Sequence, residues 1–166
     1  MTTIAYKGGV LAADSRCSDA YDMHLTNSQK LYRLDSGAIL GAAGDDDARE
    51  LMTLLGKAKT PKQLPSRADL GATRTEFSGI LVLPNSDVFL ITVCYVERTG
   101  EGEWTGAITK ITDKMCSVGS GQQFAYGAME AGASAPDAVR VACKRDTHSA
   151  LPIQTLELPI KIKKVK

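Results

Sequence analysis

Two threonines follow the first methionine, in the run Thr2-Thr3-Ile4-Ala5-Tyr6. A threonine hydroxyl is a weak nucleophile until a base takes its proton. An α-amino group on the same residue can be that base. Its reference pKa lies near neutrality, about 7.7–8.0, and covalent geometry holds it beside the hydroxyl. Thr2 would gain such an amine on removal of Met1, and a small second residue suits an aminopeptidase. A site of this kind also needs a cation to favour the deprotonated hydroxyl and an anion to place the cation. Asp14 in "AADSR" and Lys30 in "SQKLYRL" offer that pair, each expected on a strand beside the first. An aspartate and a lysine on neighbouring strands more often form a plain ion pair, and both readings stand at this point.

Other chemistries find less support. His24 and His148 are the two histidines, and neither lies near a second histidine or a cysteine at ligand spacing, so no metal and no cofactor is expected. His148 sits between Asp146 and Ser149, but a Ser-His-Asp site is assembled from separate parts of a fold rather than from neighbours. "GSGQQ" has glycines ahead of a helix without the lysine or the spacing of a phosphate loop. Cys17, Cys94, Cys116 and Cys143 are scattered, and a chain of 166 residues needs no disulfide staples. They read as reduced thiols of a cytoplasmic protein. A net charge of +1 argues against nucleic acid as a partner, and no apolar run is long enough to span a bilayer.

Positioning those residues falls to short strands. "TTIAY" and "GVLAADS" flank Lys7-Gly8-Gly9, and "KLYRL" and "AILGAAG" flank Asp35-Ser36-Gly37; both are hairpin signals. "DDDARELMTLLGKA" has acids in a first helical turn and leucines on one face. Pro61 and Pro65 then predict a loop to about residue 76. "SGILVLPNSDVFLITVCYV" is a further hairpin, followed by an exposed loop at Glu97 to Gly102 and by strands in "WTGAITKI" and "KMCSVGS". A helix after Gly121 places Phe124, Ala125, Ala128 and Met129 inward. A second helix opens on Ser134 and Asp137 with Ala138, Val141 and Ala142 on one face. "LELPIKIKKV" closes as a strand with lysines facing water. Hairpin-joined strands and segregated helices predict an α+β layered fold with antiparallel sheets, formed as one domain over residues 1–166.

Five blocks in order, "TTIAY", "GVLAADSRCS", "SQKLYRLDSGAILGAAGD", "SVGSGQQFAYGAMEAG" and "SAPDAVRVACKRDTHSA", give the chain a resemblance to the proteasome β-subunit and HslV family of N-terminal-nucleophile threonine peptidases. The resemblance implies a four-layer αββα sandwich, the Ntn-hydrolase fold. It implies Thr2 as nucleophile, Lys30 favouring its deprotonated form and Asp14 holding Lys30. It places Gly41 where the family stabilises an oxyanion through a backbone N–H. Ser120, Asp146 and Ser149 fall in the hydrogen-bond network around the α-amine. Arg16, Cys17 and Ser18 fall where the family pairs its backbone with an extended peptide, and Ser28, Tyr32 and Ile39 where it shapes a first specificity pocket, apolar in this chain. The implied activity is endoproteolysis of unfolded proteins or peptides inside a homo-oligomeric ring, hexameric or heptameric and stacked in pairs. A regulatory ATPase is a further partner of the family. The chain departs from it in the proline-bearing segment 57–77, where the family has a second helix, and in Ala150, where the family has glycine. The alternatives are an inactive ring scaffold or chaperone of the same fold, and a hydrolase of small amides.

Overall fold

The computed structural model describes residues 2–18, 24–25, 27–44, 49–98 and 101–159. Strand β1 (Thr3–Lys7) turns through Gly8-Gly9 into β2 (Val10–Ala13), as the hairpin signal predicts. Both turn glycines have positive φ, a region that a Cβ disfavours. Outer partners β10 (Met115–Gly119) and β11 (Gln154–Glu157) complete an antiparallel sheet in the order β10-β1-β2-β11. A second antiparallel sheet runs β5 (Leu31–Arg33), β6 (Ile39–Gly44), β7 (Phe77–Val82), β8 (Val88–Arg98) and β9 (Glu101–Ile111). A short ribbon pairs β3 (Cys17–Ser18) with β4 (His24–Leu25). The helices among the described residues are α1 (Arg49–Gly56), α2 (Arg67–Ala72), α3 (Gln122–Glu130) and α4 (Ala135–Cys143).

Strand alternation sorts the side chains into layers, since successive residues point to opposite faces. Ile4, Tyr6, Leu11 and Ala13 meet Leu31, Ile39, Ile80 and Val82 in an apolar layer between the two sheets. Ala5 and Ala12, of opposite parity, point to Ala125, Met129, Ala138 and Ala142 of α3 and α4. Their small size lets those helices lie close to the strands. On the far side of the larger sheet, Leu40, Leu81, Phe89 and Ile91 pack on Leu51, Leu55 and Leu70 of α1 and α2. The molecule is therefore α+β, with apolar layers between helices and sheet, sheet and sheet, and sheet and helices. Each large side chain fully buried in these layers stabilises the fold by roughly 1.5–3 kcal/mol.

Several expectations change. The segment expected as a loop holds a 3-10 turn at Pro61–Gln63 and helix α2, which Ser66 and Asp69 open with a reciprocal capping box. Strands β8 and β9 run on to Arg98 and from Glu101, so the expected loop at Glu97 to Gly102 is mostly strand. Phe124 and Val141 are exposed rather than inward. The helix expected from Asp45 is described from Arg49, and residues 45–48 lie outside the described residues; of the closing strand expected over 156–165, residues 156–157 belong to β11, which starts earlier at Gln154, residues 158–159 are not strand, and residues 160–165 lie outside the described residues. Ser134 caps α4 by accepting the Asp137 N–H, as expected. None of the helices among the described residues is long and apolar enough to cross a membrane.

Gly41 belongs to this packing. It is fully buried on β6, and a Cβ there would lie 2.7 Å from Ile4 Cγ2 and 3.3 Å from methyl carbons of Leu11 and Leu31. The glycine lets the two sheets close on each other. Gly41→Ala should cost about 1–3 kcal/mol through overpacking, read as a lowered urea midpoint with an unchanged slope.

Candidate active site

Parity decides which of the two threonines faces which layer. Thr3 shares the face of Ala5, and its hydroxyl meets Ser149 Oγ at 2.6 Å on the side of α3 and α4. Thr2 is one residue earlier, of the parity of Ile4 and Tyr6, and borders the space between the sheets. There it lines a cleft of about 560 Å³ with Ala43, Gly44, Ser78, Thr92, Cys94 and Ser120 among its other walls. Two glycines make room for this junction. Gly119, at φ +93°, would put a Cβ 1.8 Å from Thr2 O, and Gly44, at φ +146°, would put one 2.2 Å from Glu76 O. Neither position tolerates a side chain.

Behind the threonines lies a buried charge pair. Asp14, at the end of β2, is fully buried, and Lys30, just before β5, is 5% exposed. Lys30 Nζ donates to Asp14 Oδ1 at 2.8 Å and to the Arg16 carbonyl. The same Asp14 oxygen accepts the Thr3 N–H at 2.8 Å, which places the ammonium within two hydrogen-bond lengths of the Thr2–Thr3 peptide. Asp14 Oδ2 accepts the Arg16 N–H at 2.9 Å and the Ala150 N–H at 3.1 Å. Neither charge lies on a strand: Asp14 directly follows β2, the strand beside the first, and Lys30 directly precedes β5. Lys30 comes from the opposite sheet and reaches across. Gln154 braces that crossing: its Oε1 accepts the Lys30 N–H at 3.0 Å, and its Nε2 donates to Ser15 Oγ at 2.8 Å and to the Ser28 carbonyl. Sequence reasoning missed Gln154, whose one signal is its place on the strand that pairs with "LAA" of β2.

Ser120, Asp146 and Ser149 converge. Asp146 Oδ2 accepts from Ser120 Oγ at 2.7 Å and from Ser149 Oγ at 2.6 Å, and Ser120 Oγ also lies 3.4 Å from Thr2 O. His148 joins through its main-chain N–H, which donates to Asp146 Oδ1 at 3.2 Å. Burial pushes the Asp146 carboxyl up, but the bonds from Ser149, Ser120 and the His148 N–H outweigh it and hold the group below its ordinary value.

The expected substrate residues lie elsewhere. Ile39 is fully buried between the sheets. Tyr32 packs toward the α1 and α2 layer and donates to Gln29 O at 2.6 Å. The Ser28 main chain is taken up by Ser15 and Gln154. None of the three is among the described residues lining the cleft beside Thr2. Cys17 and Ser18 form β3, paired with Leu25 and His24, and Arg16 Nη1 donates to the Thr147 carbonyl. Gly41 is in the sheet-to-sheet packing, and the β6 glycine that borders the cleft is Gly44. Burial pushes the Cys116 thiol up to about 12 and the Cys143 thiol to about 11, so neither is a ready nucleophile.

No protein-family model and no curated protein matches the chain. Solved structures do resemble it. Thiobacillus denitrificans BPH in complex with epoxomicin is 19% identical, with a TM-score of 0.62 over 95% of this chain and 98% of that one. Thiobacillus denitrificans BPH alone is 19% identical, with a TM-score of 0.60 over 96% and 98%. At this identity the likeness is one of fold.

Two outcomes follow from the geometry. Lys30→Met keeps the apolar stem but leaves Asp14 buried without its cation, and should lower unfolding stability by about 3–5 kcal/mol in chemical denaturation. For Asp146 the folded pKa lies below the ordinary 3.8. Its contribution is therefore complete above that value and lost as the pH falls below it. Thermal melts between pH 7 and 3 should show wild type above Asp146→Asn at neutral pH, with the gap closing toward pH 3.

Proposed function

We propose that the chain is a threonine-type endopeptidase of the proteasome β-subunit and HslV kind, with the Ntn-hydrolase fold and Thr2 as its N-terminal nucleophile once Met1 is removed. The observation that carries this reading is the placement of Thr2. It faces an open cleft between two sheets, and the next peptide N–H shares one Asp14 oxygen with the Lys30 ammonium. A surface ion pair would serve no such geometry; here two charges are desolvated beside the Thr2–Thr3 peptide.

Thr2 Oγ attacks the carbonyl carbon of a peptide bond, and its proton passes to the α-amine of the same residue. The Lys30 charge favours the alkoxide that develops, and Asp14 fixes that charge in place. Gly44, rather than Gly41, supplies the backbone at the cleft wall where an oxyanion forms. The C–N bond breaks, the leaving amine takes the proton, and an ester to Thr2 remains for water to hydrolyse. Ser120 reaches the Thr2 carbonyl, Ser149 meets the Thr3 hydroxyl, and Asp146 joins the two serines, a network that orients the amine. The active form is a homo-oligomeric ring that encloses the clefts and limits substrates to unfolded polypeptide.

The processed protein should lack Met1 by intact mass, hydrolyse unstructured peptides, and gain the mass of epoxomicin at Thr2. Thr2→Ala should abolish hydrolysis and leave the ring mass in light scattering unchanged; Thr2→Ser should keep part of the activity. Full activity in protein that retains Met1 would overturn the mechanism. A stable monomer after processing would overturn the ring and favour hydrolysis of small amides.

A further inference from the structure

We infer that the cleft beside Thr2 is a specificity pocket for a basic side chain, lysine or arginine, on a residue directly flanking the scissile bond, with Glu76 as its selecting group. The inference deepens the peptidase reading and rests on it.

The pocket arises where the filling of the inter-sheet layer changes chemistry. On β7 the residues facing the smaller sheet are Ser78, Ile80 and Val82; on β8 they are Val88, Leu90, Thr92 and Cys94. Ile80 pairs with Leu90 in apolar packing, and the next pair toward Thr2 is Ser78 with Thr92. Aliphatic residues there would extend the core. Two hydroxyls and the exposed Cys94 thiol instead leave the sheets open, and the described cleft lies at that end.

The walls accept hydrogen bonds and carry negative charge. Ser78 and Thr92 are half-buried, and their hydroxyls take no hydrogen-bond partner from the described residues. Glu76 is exposed at the rim, next to Gly44, and is the only charged residue among the described residues that line the cleft. Lysine and arginine heads are donors only, so hydroxyl and carboxylate acceptors suit them. Their methylene stems can lie along Ala43 while the head reaches the rim. An acidic side chain would meet Glu76 with no described cation in the walls to offset it.

The test is a peptide library, randomised on both sides of the cut, given to processed wild type and to Glu76→Gln and Glu76→Lys. Wild type should cleave lysine- and arginine-flanked bonds ahead of norleucine- and glutamate-flanked ones. Glu76→Gln should reduce the lysine-over-norleucine ratio of kcat/KM about fivefold, the worth of one partly exposed ion pair, with the change in KM. Glu76→Lys should turn the preference toward acidic residues, and unchanged ring mass and melting would show that the fold is intact. Hydrolysis with no basic preference, or with a preference that Glu76→Gln leaves alone, would overturn the pocket and spare the peptidase. No hydrolysis of any peptide by processed wild type would overturn both. Binding of lysine- and glutamate-containing peptides to Thr2→Ala gives a readout without turnover, and equal affinities would overturn the pocket.

Discussion

One buried carboxylate holds the candidate site together. Asp14 accepts hydrogen bonds from Thr3, Arg16, Lys30 and Ala150, which belong to the start of β1, the exit of β2, the entry to β5 and the segment before β11. Burying an ionised carboxylate is expensive unless charge and hydrogen bonds replace water. Here one cation and three peptide N–H groups do so. The arrangement is cooperative in consequence: no one of these segments can move without taking a donor from the buried carboxylate. The position of the Thr2–Thr3 peptide relative to the Lys30 ammonium is therefore set by electrostatics, while packing sets only the sheets that carry them.

Strand parity then distributes the work. Consecutive threonines at the start of β1 point into different layers, so that Thr3 ties the strand to Ser149 while Thr2 is left for the cleft. The same alternation explains the alanines. Ala5 and Ala12 bring α3 and α4 near the smaller sheet, and α3 follows directly on the Gly119-Ser120-Gly121 turn that closes over Thr2. A Cβ at Gly121 would lie 2.0 Å from Thr3 Oγ1. Helix packing and site geometry are thus linked through a few small residues.

The parts legible in the sequence were those with local causes. Hairpins at Gly8-Gly9 and Asp35-Ser36-Gly37 and the Ser134 cap follow from turn and cap chemistry, and the structure has all three. The grouping of Ser120 with Asp146 and Ser149 could be read only through the resemblance, because Ser120 lies 26 residues before Asp146 and meets it by topology. What was not legible has tertiary causes. Gly41 and Gly44 lie in one strand, "ILGAAG", and nothing local says which one packs against the other sheet and which borders the cleft. Lys30 is expected on a strand beside β1, yet the strand it leads into, β5, joins the opposite sheet. The α2 helix was hidden behind two prolines, which here precede it and do not interrupt it.

Alternation also separates two explanations of the Asp14–Lys30 pair. If it served only to join the sheets, an apolar pair of similar volume would do as well, since buried ion pairs are often no better than hydrophobic replacements. The surroundings do not look arranged for joining alone. The inter-sheet layer is aliphatic at Leu11, Ile39 and Ile80 and becomes open and hydroxyl-lined only at Thr2, Ser78 and Thr92. An ion pair that merely fastened two sheets would be free to sit anywhere in that layer. This one is bonded to the N–H of Thr3, the residue after the one that lines the cleft, and the open end is what a substrate would need.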